Sequence, residues 1–253
     1  VTHPPLPYPP LAHRPADRPR RAWRLLVVAL GTVALLGTCG LGAVLVLADG
    51  RQGLDPGGPR AAAQVVRPRD ISSRAVDPAP LTVAEVFGAG PVDVAWGRPG
   101  FQVLATEDSP DCARATAGAV QDLLKTLGCH QVVRATMRSP GGGYLVTAGI
   151  LNLDDEADAV RAYDGIKAVA GIRTGRFTGL DAGPGSEPVT STGVQSGWHW
   201  RGHYLVFCVV ARTDGQPVAT GDQTAGQVLF DVVEHYLRGE VLQRRTRPAS
   251  PGG

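Results

Sequence analysis

The longest apolar run in the chain is residues 25–48, LLVVALGTVALLGTCGLGAVLVLA, 24 residues without a charge, Pro, Asn or Gln. At ~1.5 Å rise per residue a helix of that length spans ~36 Å, enough to cross a hydrocarbon core of ~30 Å. A core helix of a globular domain carries a polar face, and this run has none. The pattern predicts one membrane span. It is longer than the ~7–15 apolar residues of a cleaved signal peptide. A lipid-modified cysteine would close the run, yet nine apolar or small residues follow Cys39.

From residue 81 the pattern becomes that of a folded domain. An apolar strand is expected at 101–106. A helix is expected over 112–127, with Cys112, Ala119, Val120, Leu123, Leu124 and Leu127 on one face and Gly128 as its stop. Residues 131–138 and 144–151 read as a hairpin across Ser139-Pro140-Gly141-Gly142-Gly143. Asp154, Asp155 and Glu156 open a second helix, whose stripe is Ala159, Ala162, Tyr163, Ile166, Val169 and Ala170. Residues 171–193 read as a long Gly/Thr/Pro-rich loop. Two further strands are expected at 194–200 and 203–212, turning at Arg201-Gly202. Asp222 then caps a last helix carrying Ala225, Val228, Leu229, Val232, Tyr236 and Leu237.

The resulting order is β-α-β-β-α-β-β-α. It predicts an α+β domain, an antiparallel sheet with helices on one face. Its first six elements match the ferredoxin-like βαββαβ order, extended by a strand and a C-terminal helix. The expected division is a Pro/Arg-rich cytoplasmic tail at 1–24, the transmembrane helix at 25–48, and an extended linker at 49–80. The α+β domain follows at 81–244, with a short disordered tail at 245–253.

Charge supplies an orientation. Arg14, Arg18, Arg20, Arg21 and Arg24 precede the span, whereas downstream Arg51, Arg60 and Arg67 are offset by Asp49 and Asp55. The positive-inside rule then puts the N-terminus in the cytoplasm and the C-terminal domain outside. Residues 81–244 carry 13 basic and 18 acidic side chains, a net charge of −5. An acidic domain is a poor match for a phosphate backbone, so nucleic acid is not an expected partner. The expected partners are the lipid bilayer, through 25–48, and a protein of the cell envelope.

In an oxidising exterior the cysteines of the domain are Cys112, Cys129 and Cys208. If 112–127 is one straight helix, its ends lie roughly 25 Å apart, beyond the ~7 Å Cα separation a disulfide bridges. That favours Cys208 bonded to Cys112 or to Cys129, with one thiol left over; three reduced core cysteines are the alternative. His199 and His203 flank the expected turn, which pairs Trp200 with His203 and points the two imidazoles to opposite faces. Aromatic packing at a hairpin tip therefore explains them better than a metal. Asp154, Asp155, Glu156 and Asp158 are explained by helix-start charge, and Gly141-Gly142-Gly143 by a turn, since no Lys-Ser/Thr follows. Ser196 near His199 is the closest approach to a nucleophile and base, and it lacks an orienting carboxylate. No catalytic, cofactor-binding or metal residue is nominated.

The runs CARATAGAVQDLLKTLGCHQVVRATMRSP, LVTAGILNLDDEADA and GHYLVFCVVARTDG resemble uncharacterised single-pass extracytoplasmic proteins of high-GC Gram-positive bacteria. The resemblance implies an anchored exterior domain and carries no catalytic residue. The expected function is a membrane-anchored, non-catalytic binding or interaction domain. The alternative is an extracytoplasmic hydrolase acting on envelope material, its site beneath the 171–193 loop.

Overall fold

The computed structural model describes residues 68–95, 97–171 and 173–248, which fall in a compact unit running from Val65. The expected span at 25–48 lies outside the described residues. Among those described, no helix is long and apolar enough to cross a membrane.

The fold is α+β, built on an antiparallel sheet. Its strands are β1 (Gln102–Ser109), β3 (Gln131–Arg138), β4 (Tyr144–Asn152), β6 (Gln195–Arg201) and β7 (Tyr204–Arg212), in the spatial order β1-β3-β4-β7-β6. A second, two-stranded sheet pairs β2 (Thr116–Gly118) with β5 (Gly175–Phe177). The helices are α1 (Val83–Phe87), α2 (Ala119–Thr126), α3 (Glu156–Gly171) and α4 (Glu187–Thr190). The C-terminal helix begins as α5 (Gln223–Phe230), widens into a π-helical stretch at Asp231–Val241, and ends as α6 (Leu242–Arg245). Asp222 caps α5 through the amide of Ala225, as its position before the stripe implied.

Both faces of the large sheet are buried, which corrects the expectation of helices on one face. One face holds Val133, Met137, Val146, Ile150, Val206 and Cys208 against α1 and the C-terminal helix. The other holds Val132, Leu145, Leu151, Leu205 and Phe207 against α2, α3 and Val189 of α4. The physical reason lies in the central strands. YLVTAGILN and YLVFCVVAR are continuous apolar runs without alternation, and such strands need cover on two sides.

The ferredoxin-like order is not what the strands adopt. A split β-α-β inserts a strand between the two that its helix joins. Here β1 and β3 are direct antiparallel neighbours, with Thr106 opposite Ala135. The chain between them folds back on itself rather than crossing over.

That fold-back also corrects the disulfide. Cys112 and Cys129 are bonded, with Cα atoms 6.1 Å apart, while Cys208 is a free, buried thiol. Residues 112–127 are not one helix. Cys112–Ala115 form a 3₁₀ turn, Thr116–Gly118 form β2, and only Ala119–Thr126 are α-helical. Gly118 makes the reversal at φ 61°, where a side chain would also run into the Thr174 carbonyl. The Gly-Cys after α2 then returns to the 3₁₀ turn.

Residues 68–81, most of them expected as linker, instead form a strap across one end of the large sheet. Ile71 is buried, and its carbonyl accepts from the backbone N–H of His203 at 2.9 Å. Gly202 allows this approach, since a Cβ there would meet the same carbonyl. Arg69 N–H donates to Thr246, Arg74 N–H to Asp154, and Glu156 N–H to Ser72. Asp77 is wholly buried and accepts from the Tyr204 hydroxyl at 2.8 Å and from Arg245 Nε at 2.6 Å. Arg245 also donates to Glu85 at 2.7 and 3.0 Å. One buried network thus joins the strap, α1, β7 and the last turn of the chain's final helix.

Candidate functional site

The strap borders an open cleft of about 250 Å³ at the end of the sheet. Arg74, Pro78 and Pro80 come from the strap. Asp108 and Pro110 come from the end of β1, and His130, Gln131 and Asn152 from the β3 and β4 ends. These residues are remote in sequence. The antiparallel register gathers them by setting Gln131 opposite Asn152 and Asn152 opposite Tyr204.

Two parts of this site are already satisfied within the protein. Gln131 is fixed by the strap, accepting from Leu81 N–H at 3.1 Å and donating to the Leu81 carbonyl at 2.8 Å and to Asp108 at 2.9 Å. Arg74 and His130 converge on the same oxygen of Asp154, at 3.2 and 2.7 Å. Asn152 differs. The residue is 5% exposed and its enclosed Oδ1 has no hydrogen-bond partner. An unpaired buried amide oxygen costs ~1–3 kcal/mol, so this is the one polar group of the cleft held in an unfavourable state. Among the described residues no cluster of His, Cys, Asp and Glu is arranged to hold a metal ion.

The residues singled out from the sequence fall elsewhere. Arg201 pairs with Tyr204, so the β6–β7 turn is Gly202-His203, one residue later than expected. His203 is therefore a buried turn residue, not a partner of Trp200. Its Nδ1 lies 2.8 Å from the Ile71 carbonyl, its ring centre is 3.9 Å from that of Tyr204, and its Nε2 has no partner. Burial pushes its pKa below the usual imidazole value, against the opposing pull of the Ile71 carbonyl and Asp77.

His199 sits on the edge strand β6, opposite Val206, where its Nδ1 accepts the Trp200 amide at 2.8 Å. Its Nε2 is 3.9 Å from Glu234. Ser196 pairs with Val209, which belongs to the other face of the sheet, so the candidate nucleophile and base are not brought together. Trp198 donates to the Tyr163 carbonyl at 3.2 Å and lines a cleft of about 270 Å³ with Tyr163, Lys167 and Gly197.

The 171–193 stretch is sewn onto the sheet. Arg134 donates to Thr178 O at 3.1 Å, Thr136 to Leu180 O at 2.6 Å, and Leu180 N–H to Thr147 at 3.0 Å. Arg134 also pairs with Glu107 at 2.7 Å. Burial alone would raise the Glu107 pKa, but Arg134 and Arg114 outweigh it and hold it below the usual carboxylate value. The polar groups beneath this loop are thus consumed in holding it.

Arg74, Asp108, His130 and Asn152 had no signal in the sequence as a site, because only the strand register and the strap bring them together. Asp154 was visible, as a helix-start acid. Comparison with known proteins finds no matching family model, no related curated protein and no matching solved structure.

Proposed function

We propose that this is a single-pass membrane-anchored protein whose exterior α+β domain binds a small ligand without transforming it. The observation that carries the binding reading is the strap cleft, lined by Asn152, whose enclosed Oδ1 has no partner. Its lining offers no serine, cysteine, threonine or lysine as a nucleophile. The address is supported by the uncharged run at 25–48, by the arginines that precede it, and by the Cys112–Cys129 disulfide, a bond that persists in oxidising compartments. The hydrolase alternative has no comparable support, with Ser196 and His199 on opposite faces of β6. A protein of the envelope remains the natural neighbour for a domain tethered there, and nucleic acid is disfavoured by the domain's negative charge.

Two measurements test this reading. Protease treatment of intact cells releases the domain if it lies outside, and leaves it protected if the orientation is inverted. Thermal unfolding of the full chain in detergent, screened against a chemically broad set of small metabolites, shows a saturable stabilisation by at least one class. A uniformly flat screen overturns the binding reading.

A further inference from the structure

We propose that the free edge of β6 is the interface for a second copy of this chain, the two β6 strands pairing antiparallel into one continuous sheet. The inference follows from which backbone groups of the edge are spent. Arg201 and Tyr204 close a two-residue turn, so they exchange both of their backbone hydrogen bonds, and the alternation along the strand runs from them. His199, Gly197 and Gln195 therefore bond to β7, whereas Ser196, Trp198 and Trp200 turn their N–H and C=O away from it. Among the described residues the backbones of Ser196 and Trp198 have no partner on that side, and that of Trp200 meets only the imidazole of its neighbour His199.

The two edges of the large sheet are built differently. β1 carries the acids Glu107 and Asp108, and its register with β3 shifts between Val103 and Ala105. Charge and irregularity discourage pairing at an edge. β6 runs seven residues in unbroken register, without proline or lysine, and each of its residues is half-buried. Such a strand is a template for another. Its outward pattern fits the strand itself. Three outward residues centred on Trp198 are self-complementary about a two-fold axis, so Trp198 meets its own copy and Ser196 meets Trp200 across the seam. With Trp200 N–H held by His199, four bonds cross: two between the Trp198 backbones, and one from each Ser196 N–H to a Trp200 carbonyl. In the same register Arg201 faces Gln195 and His199 faces Gly197, so no like charges oppose each other. Gly197 is not demanded by the fold of one chain, since a Cβ there would make only ordinary contact, 3.4 Å from Leu229. Glycine inside a strand weakens it and marks a place where another chain comes close. These matches select a second copy over an unrelated extended segment.

Sedimentation velocity of the full chain in detergent, over a dilution series, is expected to show a monomer–dimer equilibrium. Ser196→Pro deletes two of the four bonds and none within the chain, so it is expected to weaken the dimer at least about tenfold. Ser196→Ala keeps the N–H and is expected to leave the equilibrium unchanged. Mild oxidation of Gly197→Cys chains mixed with His199→Cys chains is expected to give a disulfide-linked dimer that neither chain gives alone. That trap decides the matter should Ser196→Pro fail to fold. A chain that stays monomeric at every dilution overturns the proposal. So does a dimer that Ser196→Pro leaves unweakened, as one formed through another surface would be, or a mixture that cross-links no more than its components.

Discussion

At the scale of single residues, the buried polar groups of the strap network set the expectations. Asp77 is wholly buried and the Arg245 side chain is 5% exposed, so removing either leaves the other's buried charge with only its outer partner, Arg69 for Asp77 and Glu85 for Arg245. Asp77→Ala or Arg245→Ala is expected to cost ~3–5 kcal/mol in urea unfolding, well above a surface ion pair. A loss under ~1 kcal/mol would mean that the network is not held in this form. His203 gives the pH dependence. Its folded pKa is depressed by burial, so the unfolded chain binds the proton more readily. Its contribution is full above the unfolded value of ~6.5 and is lost as pH falls toward the lower folded value. His203→Phe should therefore flatten the stability–pH curve below pH ~6.5 relative to the parent chain, measured by urea midpoints. An unchanged slope would exclude His203 as the titrating group.

At the scale of elements, much of the fold was legible. The hairpin 131–138 and 144–152, the α3 stripe and the Asp222 cap follow from local period and capping chemistry. The two-sided burial of the sheet was also written in the sequence. LVFCVV in β7 does not alternate, and a strand with a solvated face would. What misled was the apolar spacing over 112–127, where helical periodicity continues through Gly118 although the backbone does not. Gly118→Ala should destabilise by more than ~1 kcal/mol, because φ 61° is strained for alanine and the Thr174 carbonyl crowds the new methyl. The disulfide that this fold-back permits closes a sequence separation of 17. Replacing both Cys112 and Cys129 by Ala should cost about 3 kcal/mol. Peptide mapping under non-reducing conditions should recover Cys112 and Cys129 in one linked fragment. Recovery of Cys208 in a linked fragment would contradict the arrangement.

At the scale of the whole molecule, the strap decides where the domain begins. Composition put the boundary near 81, because the Pro- and Arg-rich residues before it show no period. Period, however, reports only elements that bury a face of their own. The strap buries single residues, Ile71 and Asp77, and spends its backbone on other segments' groups. Such a piece has no local signature and is still indispensable, since without residues 68–80 Tyr204, Arg245 and His203 all lose buried partners. A chain starting at residue 65 is therefore expected to unfold in one cooperative transition. A chain starting at residue 81 should lose several kcal/mol or fail to fold cooperatively, because at least one buried charge, that of Arg245, loses its Asp77 partner. Urea unfolding of the two chains side by side checks this. Equal midpoints would show the strap to be an attached linker after all. The strap cleft, one of whose walls the strap supplies, would then be a surface feature of a mobile segment rather than a fixed site.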